Sequence, residues 1–150
     1  MSITILLADD HIVVRQGLRS LLADWRLRQP GIRFQLLLDP PDDASFGLGS
    51  PQVEAAAWRI VAEAIENAVL HAGAGAVIVS VPREAGALTP RVGDDGRGLA
   101  RRSVEGEGLR AMRERAAACG GSVTVANGES GGAEVLARLP WPGGEAAGML

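Results

Sequence analysis

Residues 51–72 read PQVEAAAWRIVAEAIENAVLHA, and this stretch decides the fold. Ser50 and Pro51 form a typical helix start, because serine can cap the first turn and proline loses no hydrogen bond at the first helical position. Apolar side chains then recur at helical spacing and form one stripe, made of Val53, Ala57, Ile60, Val61, Ala64, Ile65 and Ala68. The pattern predicts a long helix that ends near Gly73 and buries this stripe.

Shorter elements flank this helix on both sides. Hydrophobic patterning predicts strands over residues 3–8, 32–38, 76–81, 87–93, 122–126 and 134–139, and further helices over residues 13–28 and 109–118. Proline cannot donate to a strand ladder, so Pro90 is expected to place its strand at a sheet edge or at a bulge. Strand and helix do not alternate strictly. The order therefore favours an α+β fold in which helices cover one face of a mixed sheet.

The size and composition are those of one packed, soluble domain. The chain has 150 residues, of which 47% are hydrophobic and 22% charged. Such a domain needs no disulfide staple, and a single cysteine cannot form one. A net charge of -3 argues against general binding to nucleic acid or to an anionic membrane. Neither a membrane-spanning run nor a secretory signal is visible, so we expect a cytoplasmic protein with no membrane segment in this chain.

The long helix carries two polar side chains at one edge of its apolar stripe. Glu63 and Asn67 are one turn apart and therefore point the same way. An asparagine oxygen suits Mg²⁺ when phosphates and waters complete the octahedron, and a glutamate can orient or deprotonate a hydroxyl, an imidazole or a water. Taken alone, the pair is more typical of a solvated helix surface.

Two glycine-containing segments follow later in the chain. Asp94–Gly98, DDGRG, comes directly after a predicted strand. A carboxylate there can accept a hydrogen bond from the amine of a base, and the glycines allow a flat ligand to approach the backbone. Gly106–Leu109, GEGL, opens the shorter helix, whose positive end and free N–H groups attract phosphate. Each segment alone is equally typical of an ordinary turn or helix cap.

The three motifs taken in order resemble one family. Residues 58–140 are similar to the ATP-binding catalytic domain of bacterial sensor histidine kinases, in the GHKL superfamily that includes gyrase, Hsp90 and MutL proteins. Residues 60–72, IVAEAIENAVLHA, resemble the N box. DDGRG resembles the first glycine box, and residues 106–115, GEGLRAMRER, resemble the second. The MRER text and the glycine-rich closing hairpin are similar to the subfamily whose members partner LuxR-type response regulators.

This resemblance implies a two-layer α/β sandwich, the Bergerat fold, with ATP and Mg²⁺ between the long helix and a short lid. It implies that Asn67 holds Mg²⁺, that Glu63 is the catalytic residue that assists phosphoryl transfer, and that Asp94 binds the adenine amine. The other cofactor-binding residues that it implies shape the adenine pocket or wrap the phosphates, and they are Gly96, Gly98, Gly106, Gly108 and Leu109.

The start of the chain resembles a different family. Residues 3–22, ITILLADDHIVVRQGLRSLL, are similar to the first strand and helix of a response-regulator receiver domain, in which Asp9 and Asp10 would bind Mg²⁺. The chain contains no lysine, which receivers use, so we interpret both residues as helix-start carboxylates. We expect a receiver-like strand and helix fragment over 1–24, a histidine-kinase-like ATP-binding domain over 25–140, and a flexible tail over 141–150.

The resemblance implies transfer of a phosphoryl group from ATP to a histidine. No phosphoacceptor helix hairpin precedes Trp25, so the expected partners are a separate histidine-bearing dimerisation domain and a response regulator, of the LuxR type. Two alternatives stay open: a serine kinase of the anti-sigma-factor type, and a non-enzymatic regulator that only docks partners. Glu107 favours the regulator, because a carboxylate between the phosphate-facing glycines would repel phosphate unless it points to solvent. Ala133 also replaces the threonine that is usual after the last glycines.

Overall fold

The computed structural model describes residues 10–39, 51–71, 73–84, 86–98, 106–128 and 131–140. Within these ranges the helices are α1 (Asp10–Arg28), α2 (Pro51–His71) and α3 (Glu107–Ala118). The strands there are β1 (Arg33–Asp39), β2 (Ala76–Glu84), β3 (Ala87–Leu88), β4 (Arg91–Asp94), β5 (Ser122–Asn127) and β6 (Ala133–Pro140). The predicted strand at 3–8 and the expected tail at 141–150 lie outside these residues.

The strands form one mixed sheet. Its spatial order is β1, β2, then a row shared by β3 and β4, then β6 and β5. β1 runs parallel to β2, and the other pairs are antiparallel. A parallel pair needs a long crossover connection, which α2 supplies. The arrangement confirms the predicted α+β class and the sandwich that the resemblance implies.

Pro90 separates β3 from β4 without changing their register. Against β2 the paired residues are Arg83 with Leu88 and Val79 with Val92, and against β6 they are Leu139 with Leu88 and Val135 with Val92. The prediction of an edge or a bulge is therefore wrong, because Pro90 lies buried in the middle of the sheet. Its carbonyl still accepts the Ala137 N–H at 2.9 Å, whereas proline has no N–H with which to return this bond.

The core lies between the helices and one face of the sheet. Successive strand residues point to opposite faces. Val77 and Val79 are accordingly buried, whereas Ile78 between them is 45% exposed. All seven residues of the predicted α2 stripe are buried, and Val61 and Ile65 are at 0% exposure. The stripe therefore makes α2 the central helix of the helical layer. No helix in the described part of the chain is long and apolar enough to cross a bilayer.

One helix, α1, crosses the boundary predicted between residues 24 and 25. Leu18, Leu22 and Trp25 of α1 are buried in the common core, and the Trp25 ring stacks on Phe34 of β1 with centroids 6.3 Å apart. In the structure, α1 from Leu18 onward packs as part of the same domain. The receiver-like origin of residues 1–24 stays a prediction about the sequence.

A glycine cap ends α3 and directs the chain into β5. Gly120 has φ +84°, a left-handed backbone conformation that residues other than glycine rarely adopt. The Gly121 N–H donates to the Ala116 carbonyl at 2.7 Å, and the Gly120 N–H donates to the Ala117 carbonyl at 2.9 Å. These two bonds are those of a Schellman motif. They fix the C-terminal end of α3 and lead the chain into β5.

Candidate functional site

The first turn of α3 lies against the polar edge of α2. Glu63 and Asn67 are both half-buried there. A β-carbon at Gly108 would lie 3.2 Å from Nδ2 of Asn67 and would overlap Oε2 of Glu63. Only a glycine lets the α3 backbone approach this closely without moving one of these side chains. The structure thus brings together three of the residues that the sequence predicts for the phosphate and metal side.

The start of α3 presents backbone donors rather than a side-chain cap. Gly106 is the N-cap residue, and no side chain there hydrogen-bonds the first turn. The first N–H groups of any helix lack intrahelical partners and carry the positive end of its dipole. Glu107 is exposed, whereas Leu109 packs against the core. The helix end beside Glu63 and Asn67 is therefore suited to an anion.

Asp94 ends β4 on the face of the sheet that the helices cover. It pairs with buried Val77, and residues paired across strands share a face. Oδ1 of Asp94 accepts the Gly96 N–H at 2.8 Å and the Ala133 N–H at 3.4 Å. A β-carbon at Gly132 would overlap the Asp94 carbonyl and lie 2.8 Å from Oδ1. The carboxylate is thus held in one position between the DDGRG loop and the start of β6.

Gly98 packs the DDGRG loop against the turn between β5 and β6. It is buried and has φ +79°. A β-carbon there would meet Oδ1 of Asn127 at 3.0 Å and the Gly131 carbonyl at 3.1 Å. Asn127 therefore belongs to the surroundings of this loop, although the sequence had indicated only a hairpin turn there.

Asp95 ties the same loop to the connection between α2 and β2. Its Oδ1 accepts the Gly75 N–H at 2.8 Å and the Ala76 N–H at 2.9 Å. Its own N–H donates to the Ala76 carbonyl at 3.3 Å. The bonds from Ala76 and Gly75 stabilise the charged form and so hold the pKa of Asp95 below its ordinary value. Sequence reasoning had treated this residue only as the neighbour of Asp94.

The two groups of predicted residues border the same helix. α2 packs on α3, which carries Gly108, and on β4, which ends at Asp94. Gly106 and Leu109 flank Gly108 in the chain, and Gly96 is hydrogen-bonded to Asp94. The structure therefore places both groups of predicted residues around α2, those predicted for phosphate and metal on α2 and α3 and those predicted for the base at the end of β4.

Residues 52–143 match the family model of the histidine kinase-, DNA gyrase B- and HSP90-like ATPases. The chain belongs to this ATPase family. The match begins at the start of α2 and includes every residue predicted for the site. The roles of those individual residues stay predictions.

Two curated relatives of this ATPase domain are histidine kinases. The domain is 32% identical over 129 residues to the sensor histidine kinase LiaS of Bacillus subtilis, and 33% identical over 117 residues to the signal transduction histidine-protein kinase/phosphatase UhpB of Salmonella typhimurium. The alignments cover 85% and 77% of this chain but only 34% and 23% of the relatives. The chain thus spans about a third or less of these proteins.

Solved structures show the same fold. The ATP binding domain of PrrB from Mycobacterium tuberculosis superposes with a TM-score of 0.68 at 28% identity, over 89% of this chain and 99% of that one. The blue-light activated histidine kinase of Erythrobacter litoralis EL346 gives a TM-score of 0.66 at 18% identity, over 89% of this chain and 45% of that one. The second likeness concerns the fold alone.

The donor set of this ATPase domain fits a Mg²⁺ ion that is shared with a nucleotide. Asn67 and Glu63 offer amide and carboxylate oxygens, which are the hard ligands that Mg²⁺ prefers. Among the described residues there is no cluster of three or more histidine, cysteine or acidic side chains that would hold a metal ion. An ion at Asn67 would therefore complete its octahedron with phosphate oxygens and waters.

Proposed function

We propose that this domain binds Mg·ATP and provides the phosphoryl group for a histidine on a separate dimerisation domain. The observation that carries the proposal is the contact of Gly108 with Glu63 and Asn67. It supports a site in which backbone donors, a metal ligand and a general base face one phosphate chain.

At the phosphate side, catalysis would rest on positioning and on charge neutralisation. The N–H groups at the start of α3 would hold phosphate oxygens, and Asn67 would hold the metal ion. Bound Mg²⁺ neutralises phosphate charge and so makes the terminal phosphorus easier to attack. Glu63, one helical turn from Asn67, would orient the acceptor imidazole and take its proton. Glu107 is exposed, which favours this reading over a regulator with an impaired site.

At the base side, Asp94 would select adenine. The Gly96 and Ala133 N–H groups orient its carboxylate, which would accept a hydrogen bond from the exocyclic amine of adenine. Guanine carries a carbonyl oxygen at the corresponding position, and a carboxylate would repel it. Gly98 would let the ring lie close to the backbone of the loop.

We further propose a two-component pathway as the setting. The identity to LiaS and UhpB supports a partner response regulator, and the MRER text of α3 supports one of the LuxR type. Because the reaction uses ATP, which is available in the cytoplasm, we place it there.

Nucleotide titration followed by a transfer assay tests the proposal. We expect the full chain to bind Mg·ATP more tightly than Mg·GTP. Asn67→Ala is expected to abolish the Mg²⁺ dependence of binding, and Asp94→Ala to abolish the preference for adenine. With a separate histidine-bearing dimerisation domain and labelled ATP, the product should be an acid-labile phosphohistidine.

The other outcomes separate the alternatives. No ATP binding by the folded wild-type chain would contradict the proposal. An acid-stable phosphoserine on the acceptor would favour a kinase of the anti-sigma-factor type. Nucleotide binding without any transfer would favour a regulator that only docks partners.

A further inference from the structure

We infer that Asp95 is a positioning residue that fixes the spacing between the adenine side and the phosphate side of the site. The inference rests on the proposed function, because it concerns how one nucleotide reaches both sides. Asp95 itself is not proposed to touch the nucleotide.

The contacts of Asp95 join two segments that are distant in the chain. Its carboxylate accepts two successive N–H groups, those of Gly75 and Ala76, 20 and 19 residues away. Its backbone N–H adds a third bond to Ala76. Three hydrogen bonds therefore fasten the DDGRG loop to Gly75 and to Ala76, the first residue of β2.

Each of the two joined segments leads directly to one side of the site. Asp94 precedes Asp95, so the carboxylate that would select adenine is one residue from the fastening. In the other direction, residues 73–75 lead back to α2, which carries Asn67. A β-carbon at Gly73 would lie 3.7 Å from Nε of Arg97, so a second residue of the loop also borders this segment. Movement at the fastening would thus change the distance between Asp94 and Asn67.

The charge and the exposure of Asp95 decide what its loss would do. Hydrogen bonds to a charged acceptor are stronger than those between neutral groups. Asp95 is nevertheless exposed, so water can replace its carboxylate at both N–H groups. Removing it should therefore change the folding stability little and should mainly loosen the attachment of the loop to residues 73–75. The Gly96 and Ala133 bonds to Asp94 would remain and keep the adenine side in place. A ligand that spans both sides would lose affinity, whereas a ligand confined to the adenine side would not.

The test compares Mg·ATP with adenosine, which lacks phosphates. We expect Asp95→Ala to weaken Mg·ATP binding by roughly fivefold, in proportion to the loss of partly solvated charged hydrogen bonds, while adenosine binding stays within about twofold of wild type. Asp95→Asn keeps an oxygen acceptor of the same shape and should recover part of the affinity for Mg·ATP.

Two control variants test whether the loss of any exposed carboxylate, or any loss of stability, would give the same result. Asp24→Ala removes another exposed aspartate, one that pairs with Arg28 at 2.9 Å on the surface of α1. Val123→Ala weakens the core near the start of β5, at the opposite end of this strand from Asn127. Both should bind Mg·ATP and adenosine as wild type does, at temperatures where each variant is folded.

The inference is overturned if Asp95→Ala binds Mg·ATP within twofold of wild type, or if it loses affinity for Mg·ATP and adenosine by the same factor. A wild-type chain that binds no Mg·ATP would refute the proposed function itself, and this inference with it. A wild-type chain that binds, together with an Asp95→Ala chain that binds equally well, refutes the inference alone.

Discussion

Replacing Gly108 by alanine should separate stability from catalysis. The added methyl group would overlap Oε2 of Glu63 and lie 3.2 Å from Nδ2 of Asn67. Oε2 is the far end of a flexible side chain, so Glu63 can rotate away instead of forcing the backbone of α3 to move. The variant should therefore fold normally with Glu63 displaced from its place beside α3.

The free energies involved nearly cancel. Alanine is favoured over glycine inside a helix by about 1 kcal/mol, and by less than that in the first turn. Holding Glu63 away from its preferred rotamer costs about 0.5–1.5 kcal/mol. The net change in the free energy of unfolding should stay within about 1 kcal/mol, which corresponds to a shift in Tm of roughly 4 °C. Displacing a catalytic group by about 1 Å, in contrast, can cost a factor of about 100 in rate.

Thermal unfolding and single-turnover transfer to an acceptor histidine measure the two quantities. Gly31→Ala is the matched control, because a β-carbon there meets no atom within 4 Å and the residue lies in the turn between α1 and β1. We expect Gly108→Ala to keep its Tm and lose at least about tenfold in transfer rate, with Gly31→Ala unchanged in rate. Transfer by Gly108→Ala at the wild-type rate would refute the reasoning, as would a fall in Tm of more than about 8 °C.

Three further predictions concern the adenine side of the site, the core, and the stability at low pH. Gly132→Ala and Gly121→Ala would each force a methyl group onto a backbone carbonyl, so each should lower the free energy of unfolding by about 1–3 kcal/mol, measured in urea. Only Gly132→Ala displaces Asp94, so only this variant should also lose the preference for ATP over GTP. Leu22→Ala should lower the free energy of unfolding by about 2–5 kcal/mol, because its side chain is fully buried; a loss below about 1 kcal/mol would show that α1 is not packed as described. The backbone N–H groups of Ala76 and Gly75 lower the pKa of Asp95 in the folded state. The stabilisation that its carboxylate gives is therefore present above about pH 4 and is lost as the pH falls through the pKa of the folded state. An NMR titration of this carboxyl with a midpoint at or above the ordinary aspartate pKa would contradict the prediction.

The elements that the sequence predicted well depend on local periodicity. The apolar stripe of α2 repeats every three to four residues, and each of its members is buried as expected. The end of α3 was similarly predictable, because Gly120 and Gly121 follow its last turn and glycine is the residue that a Schellman motif needs.

The features that the sequence did not predict depend on partners far along the chain. Whether Pro90 lies at an edge is decided by β6, whose pairing residue Ala137 is distant in sequence. The role of Asp95 is decided in the same way, since its acceptor oxygen meets N–H groups 19 and 20 residues earlier. No short pattern encodes either contact.

In the site, too, the residue types were readable from the sequence, whereas the contacts between distant segments were not. The residue types around Glu63, Asn67 and Asp94 carried the resemblance to the family. The closeness of Gly108 to α2, and the packing of Gly98 beside Asn127, follow only from the assembled sheet and helices.

The burial of Leu18 and Leu22 has a practical consequence for anyone who trims this chain. The family match begins at residue 52, yet a recombinant fragment cut there would lack α1 and β1. Cutting would strip the apolar cover from one flank of α2 and turn β2 into a bare outer strand, which invites association with other copies. The segment that the family model matches is thus shorter than the packed domain, which extends towards the amino terminus at least to Leu18.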